Sequence, residues 1–218
     1  MFKTLKDKIR PAILEALTVR PFGLTHMSTV QAEVLPLLPG LATPYDPENP
    51  SAERKDLLVK AKTGTGKTIG FLVPAIESRL NEIEKYACEK VADMGIDSNR
   101  RTLESKARHV FGKTQAGCLI ISPTRELATQ IANEAIRLTS HLSNFEVRLF
   151  VGGSSKRMQM RDWARGYRDI VVATPGRMRD LLENEPDVAR GMKDCPLVSA
   201  YTIFTPRQAL TSSPSADT

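Results

Sequence analysis

A doubly wound α/β sheet with parallel strands is the fold that this sequence predicts. Two observations lead there. Short apolar runs of strand length recur at Leu57–Val59, Cys118–Ile121, Val147–Val151 and Ile170–Ala173. Each is followed by a stretch of helical periodicity, and strands alternating with helices close into a parallel sheet. Glycine, proline or threonine punctuates the end of every run, and ligands of such sheets bind at the carboxyl ends of the strands. The 218 residues, 41% hydrophobic and 26% charged, suffice for one sizeable domain with its own core.

The elements follow in order. Phe2, Leu5, Ile9, Ile13 and Leu17 stand at helical spacing, predicting a leading amphipathic helix over residues 1–21 that packs on the domain. A mitochondrial targeting helix is the other reading, and Asp7 and Glu15 count against it. Gln31–Leu38 reads as a short helix ended by Pro39 and Gly40, and residues 41–55 as a surface loop. Leu57–Val59 is expected as a buried strand, with a helix from Gly66 to about Glu82. Residues 82–114 carry 13 charged residues of both signs and read as a solvated helical insertion. Helices are expected from Glu126 to Ser140, Lys156 to Gly166 and Met178 to Leu182. Leu197–Phe204 has the composition of a fifth strand, whereas residues 205–218 are mostly Thr, Ser, Pro and Ala and cannot bury a core.

Charge and cysteine usage narrow the class. The net charge of +6 and pI near 9.3 favour a polyanionic partner without requiring one. Cys88, Cys118 and Cys195 lie far apart, which excludes a disulfide framework and points to a reducing, intracellular setting. His26, His109 and His141 do not cluster either, so packing or surface roles are expected. No apolar run approaches the roughly 20 residues of a membrane span. No segment calls for an obligate protein partner.

Ala61-Lys62-Thr63-Gly64-Thr65-Gly66-Lys67-Thr68 carries the first chemistry. Small residues let backbone N–H groups converge on phosphate oxygens, and a helix N-terminus adds partial positive charge. Lys67 has the reach for the β- and γ-phosphates, and Thr68 can offer its hydroxyl to Mg²⁺. These residues predict an ATP or GTP site. The loop alone does not choose among kinases, GTPases and motors.

Four further elements narrow the family. They are Phe22 to Gln31, Pro123-Thr124-Arg125-Glu126-Leu127-Ala128-Thr129-Gln130, Gly152-Gly153, and Thr174-Pro175-Gly176-Arg177. With the phosphate loop, in this order, they resemble the DEAD-box RNA helicases of superfamily 2. The resemblance spans residues 22–177 and implies an N-terminal RecA-like ATP-binding domain over about 22–198. The wording around Gln31 and the long insertion look most similar to the fungal mitochondrial members that act as RNA chaperones, which favours a mitochondrial location.

The resemblance assigns roles that the residue types suit. Gln31 becomes the selector of ATP, because a glutamine amide can pair with both N6 and N7 of adenine. Phe22 is placed beside the base, although Leu24 stands where the family usually has an aromatic and Met27 where a proline is common. Pro123, Thr124, Arg125, Gly152, Gly153, Thr174, Pro175, Gly176 and Arg177 are implied to hold the backbone of single-stranded RNA. Arginine suits phosphate, and glycine suits close approach. Each element also has a plain structural reading: Thr124 as a helix cap, the glycine pair as a turn, Thr174-Pro175-Gly176 as a strand end. The insertion has a second reading too, as an added RNA-contact surface.

Phosphoryl transfer also needs a second carboxylate for Mg²⁺ and a group that orients water. The family draws both from an Asp-Glu-Ala-Asp run, and no such run stands in these 218 residues. The Ser-Ala-Thr motif and the second RecA-like domain are missing likewise. The pattern is lost near Leu197 and Val198, so the expectation is a truncated or mis-spliced product with a divergent tail over 199–218. The expected function is that of an ATP-dependent RNA helicase family protein whose cofactors are ATP and Mg²⁺ and whose partner is RNA. A catalytically inactive nucleotide- or RNA-binding fragment is the alternative, and another P-loop enzyme such as a kinase is a third.

Overall fold

The computed structural model describes residues 1–43, 57–62, 64–94, 99–193 and 195–199. The regular elements are Pro11–Thr18 (α1), Thr29–Val34 (α2), Lys67–Asp93 (α3), Arg100–Thr114 (α4), Cys118–Ile121 (β1), Arg125–Leu138 (α5), Val147–Phe150 (β2), Lys156–Arg165 (α6), Ile170–Ala173 (β3), Pro175–Asn184 (α7), Pro186–Gly191 (α8) and Leu197–Ser199 (β4). Short 3-10 turns fill the gaps near the N-terminus.

The four strands form one sheet in the order β2-β3-β1-β4, and every pairing is parallel. Consecutive residues of a strand point to opposite faces, so β3 sorts its side chains by parity. Ile170 and Val172 join the core under α1, α3 and α5. Val171 and Ala173 join the core under α6, α7 and α8, beside Trp163 and Phe150. All four β3 residues are fully buried, which is why the strand reads as an unbroken apolar run. Helices thus cover both faces, as a doubly wound sheet requires. Burial also pushes the Cys118 thiol up to about 12, so this cysteine is an inert core residue.

Several boundaries differ from the sequence reading. The leading helix is interrupted: Phe2–Leu5 is a 3-10 turn and α1 starts at Pro11. Proline lacks the N–H that a continuing helix needs, and it favours the first helical position instead. The apolar period persists through the break, with Phe2, Leu5, Ile9, Ile13 and Leu17 all buried. Helix α3 runs 27 residues, past the expected end near Glu82, so the charged segment begins inside it. Its second arm is α4, and Tyr86 stacks on Phe111 at 4.3 Å to close the pair. Helix α8 was not read from the sequence. The loop expected at 41–55 and the tail from residue 200 lie outside the described residues, apart from 41–43.

The buried strand expected at Leu57–Val59 does not form. These residues pair with no strand, and Leu58 is 95% exposed. Three apolar residues cannot hold a ladder without a partner edge. Strand β4 has three described residues, and its Leu197 is itself 64% exposed. Of the fifth strand expected at Leu197–Phe204, residues 197–199 form β4 and 200–204 lie outside the described residues.

One ion pair fastens α3 to the sheet. The Arg79 Nε donates to Asp169 Oδ1 at 3.0 Å, and both side chains are fully buried. Arg79 also donates to Glu82 at 2.8 Å and to the Gln115 carbonyl at 2.7 Å, while Asp169 Oδ2 accepts from the Glu146 N–H at 3.0 Å. Among the described residues, no helix is long and apolar enough to cross a membrane.

Burial pushes the Asp169 carboxyl up to about 6, with Arg79 opposing the shift. A folded-state pKa above the unfolded value means the native state holds a proton that the unfolded chain has lost. That contribution is complete below the ordinary carboxylate range and disappears as pH rises through about 6. Replacing Arg79 with Met removes the fully buried cation paired with this carboxylate. The R79M chain should lose about 3–5 kcal/mol near neutral pH. Urea denaturation should show a smaller loss as pH falls, because without Arg79 the Asp169 carboxyl is pushed further up and takes up its proton more readily.

Candidate nucleotide and nucleic-acid site

Strand register sets the geometry of the site. Ile121 and Phe150 both pair with Ala173, so β1, β2 and β3 end level. Ser122 N–H donates to the Ala173 carbonyl at 2.9 Å, and Thr174 N–H to the Phe150 carbonyl at 3.0 Å, carrying the alignment one residue further. The three following loops therefore leave on one rim. They converge on a groove of about 670 Å³ lined by Pro123, Thr124, Arg125, Glu126, Gly152, Thr174, Gly176, Arg177 and Asp180.

Three contacts shape this groove. Arg125, the first residue of α5, lays its exposed guanidinium over the glycine pair. A Cβ at Gly153 would come within 2.5 Å of Arg125 Nη1, and one at Gly152 within 3.1 Å of Nη2. Gly153 also holds φ of +82°, so glycine is needed there for conformation as well as space. Arg177 donates to Gln159 Oε1 at 3.1 Å and to the Ser154 carbonyl at 3.2 Å. Gln159 in turn donates to the Val151 carbonyl at 3.1 Å, so Arg177 and α6 together brace the loop that carries the glycines.

Thr124 is the N-cap of α5, and its hydroxyl accepts from the Leu127 N–H at 3.2 Å. The plain reading of Thr124 as a cap thus holds, and the residue lines the groove as well. Thr174 is the N-cap of α7 with no side-chain cap bond, and Pro175 follows at the first helical position. Two acids, Glu126 and Asp180, face the groove. Asp180 is neutralised by Lys156 at 3.2 Å, and that hydrogen bond holds its carboxyl below the ordinary range.

The phosphate loop stands at the start of α3. Gly64 and Gly66 adopt φ of +77° and +73°, a left-handed geometry that L side chains resist. Lys67 curls back to donate to the Ala61 carbonyl at 2.7 Å and to the Lys62 carbonyl, and Thr65 donates to the Lys62 carbonyl at 2.8 Å. Thr68 follows on the helix and is half-buried. Thr63 lies outside the described residues. The loop is thus a tight turn on a helix N-terminus whose first two residues are Lys67 and Thr68, a donor set suited to a nucleotide phosphate and its Mg²⁺.

Gln31 locks onto this loop. Its Nε2 donates to the Gly66 carbonyl at 3.0 Å, and its Oε1 accepts from the Ser28 N–H at 2.9 Å. Ser28 Oγ accepts from the Gln31 N–H at 3.3 Å, completing a capping box on α2. The side chain is buried, and Gly66 fits beneath it only because it has no Cβ. The Phe22 ring lies 4.3 Å under the guanidinium of Arg137, near the C-terminal end of α5.

The structure therefore brings the Pro123–Arg125, Gly152–Gly153 and Thr174–Arg177 elements together, and joins Gln31 to the phosphate loop. It gives Phe22 a partner on α5. Three supporting residues escaped the sequence reading. Ser28 could have been found, since Ser28-Thr29-Val30-Gln31 has capping-box spacing. Gln159 and Lys156 carry no such signal, because their partners are distant in the chain.

The DEAD/DEAH box helicase family model matches residues 30–198. The chain is 33% identical over 194 residues to a protein named ATP-dependent RNA helicase mss116, mitochondrial, of Aspergillus oryzae, covering 88% of this chain and 24% of that one. It is 33% identical over 185 residues to DEAD-box ATP-dependent RNA helicase 25 of Oryza sativa, covering 85% and 25%. The solved structure of DEAD-box helicase Mss116 bound to ssRNA and UDP-BeF superposes with TM-score 0.60 at 26% identity, covering 84% of this chain and 30% of that one. The yeast DEAD-box splicing factor Prp28 superposes with TM-score 0.60 at 25% identity, covering 88% and 36%. The chain thus spans about a quarter of the length of the curated relatives it matches.

Gly66 and Gln31 are coupled by contact, which a double-mutant cycle measures. Gly66→Ala places a Cβ 2.4 Å from Gln31 Nε2 at a left-handed φ. It should cost about 1–3 kcal/mol in thermal or urea unfolding. Gln31→Ala removes the clashing side chain. The double variant should therefore be less destabilised than the sum, by about 0.5–3 kcal/mol.

Proposed function

The chain belongs to the DEAD/DEAH box helicase family, and on that premise we propose that it binds ATP with Mg²⁺ at the phosphate loop and the backbone of single-stranded RNA in the rim groove. The observation that carries the reading is the convergence of three loops from three level strands on one groove. The groove offers Arg125 and Arg177 for phosphate and exposed backbone around Gly152 and Gly176 for close approach. Base-edge readers are not prominent there, so binding independent of sequence follows.

At the phosphate loop, Lys67 exchanges its bonds to the Ala61 and Lys62 carbonyls for phosphate oxygens. Backbone N–H groups of residues 64–68 and the α3 N-terminus add positive potential. Thr68 offers its hydroxyl to Mg²⁺, which when bound neutralises phosphate charge. Gln31, pinned to Gly66, stands where a change in the phosphate loop reaches it directly. In this proposal it presents its amide to adenine and selects ATP over GTP; Phe22 contributes by anchoring the segment through Arg137 rather than by stacking on the base.

In the whole protein, ATP hydrolysis is coupled to RNA unwinding. These 218 residues supply Lys67 and Thr68 but no Asp-Glu-Ala-Asp run. Among the described residues no group of three or more His, Cys, Asp or Glu could hold a metal ion. We infer that these 218 residues, taken alone, bind without turning over.

The test is a binding and turnover assay on the purified chain. Mg²⁺–ATP should bind in preference to Mg²⁺–GTP, and Lys67→Ala should weaken ATP binding by about 10- to 100-fold, the worth of a charge-assisted hydrogen bond. Arg125→Gln and Arg177→Gln should each weaken single-stranded RNA binding. RNA-stimulated hydrolysis by the 218-residue chain would refute the assignment of an inactive catalytic centre. Binding of GTP in preference to ATP would refute the role of Gln31.

A further inference from the structure

Helix α6 starts at the groove, three residues after Gly153, and carries a face that the groove does not use. Its inner side is occupied. Trp163 packs in the core, Gln159 braces Arg177, and Lys156 pairs with Asp180 and Glu185. The opposite side presents Arg157, Arg161 and Arg165 at intervals of four residues, all exposed. Residues so spaced form one stripe on a helix, rising about 6 Å per step. That step is comparable to the distance between neighbouring phosphates on one nucleic-acid strand.

Some exposed helical arginines elsewhere are matched by acids one turn away. Arg108 meets Glu104, Arg179 meets Glu183 and Arg190 meets Asp187. Arg157, Arg161 and Arg165 have no ion pair or hydrogen bond from their guanidinium groups among the described residues. The single acid on α6, Asp162, lines one pocket with Arg148 and Arg165 and makes no ion pair with the stripe among the described residues. Three unpaired guanidinium groups in a row, of one sign, leave a strip of positive potential that a solvated helix does not need.

We propose that Arg157, Arg161 and Arg165 form a second RNA-backbone track that continues the rim groove along the outer face of α6. The proposal rests on the groove being the RNA site. Two observations favour RNA over an acidic protein. The stripe is continuous with the groove through the Gly152–Ser155 loop, which α6 itself braces. And the face is charged without an apolar anchor of the kind that protein interfaces centre on, Met158 being the one large exposed apolar residue on the helix. A strand leaving the groove past Gly153 meets Arg157 first. Each guanidinium then takes one phosphate by paired hydrogen bonds and reads no base.

The test compares two single-stranded RNAs on the 218-residue chain, a short oligonucleotide that fills the groove and one several times longer. The variant R157Q/R161Q/R165Q alters only exposed side chains, and circular dichroism checks its fold. The long RNA should lose affinity in the variant while the short one keeps it. The slope of log affinity against log salt for the long RNA should fall by about 2, since each phosphate contact on a single strand contributes about 0.7. The variant R157K/R161K/R165K should restore that slope. Equal loss for both RNAs, or no loss for either, would overturn the track. Failure of the groove reading looks different: the short RNA would not bind the wild type, or would bind without responding to Arg125→Gln.

Discussion

Everything at the site depends on three strands ending level. Parallel pairing of β2, β3 and β1 in a register that aligns Phe150, Ala173 and Ile121 places three chain exits on one line. Had any strand slipped by one residue, its apolar side chains would have turned to the wrong core, because the side-chain period of a strand is two. The two cores enforce the alignment. Ile170 and Val172 can only face α1, α3 and α5, while Val171 and Ala173 can only face α6, α7 and α8. Arg125 can therefore reach Gly152 and Gly153 across the rim only because burial on both sides fixes β3.

The phosphate loop is held by a different device. No strand pairs with the residues before it, and Leu58 is almost fully exposed. The loop draws its position from the helix it begins and from Gln31, which spans from the Ser28 N–H to the Gly66 carbonyl. One amide serves the cap of α2 and the turn of the loop at once. That dual use couples them: a rearrangement at Gly66 strips a partner from a buried side chain, and a buried amide left unpaired costs about 1–3 kcal/mol. A ligand that binds both Gln31 and the loop must supply replacement partners in the same step.

Much of this was legible in the sequence, and what was not has a physical reason. Strand β3 was readable because a strand buried on both faces is an apolar run, and β1 because its four residues are all apolar, whereas β2 carries Arg148 among apolar neighbours. The rim elements were readable because their residues are local and adjacent to those runs. Leu57–Val59 looked the same by composition, and composition does not contain the partner edge that a strand needs. The break at Pro11 was visible in the letters but masked by an apolar period that continues across it. Arg79 and Asp169 read as two ordinary charges 90 residues apart, and only the folded chain buries them together. The cap at Ser28 was missed although its spacing is local. The brace from Gln159 to Arg177 could not be read, since no short-range pattern links α6 to α7.

The arginines of the rim divide into two kinds by what already holds them. Arg177 is engaged with Gln159 and the Ser154 carbonyl, so its position is set before any anion arrives. Preorganisation of this kind lowers the ordering cost of binding. Arg125 packs on two glycines, which fixes its plane while leaving its donors outward. Arg157, Arg161 and Arg165 are held by nothing but the helix that carries them, and each must give up side-chain entropy to meet a phosphate. The groove is therefore the tighter and more geometric part of the surface. The α6 stripe is looser and more dependent on salt, because long-range attraction between exposed charges is what screening removes first. A strand would be gripped at the rim and steered along the helix. That order follows from how many partners each guanidinium already has.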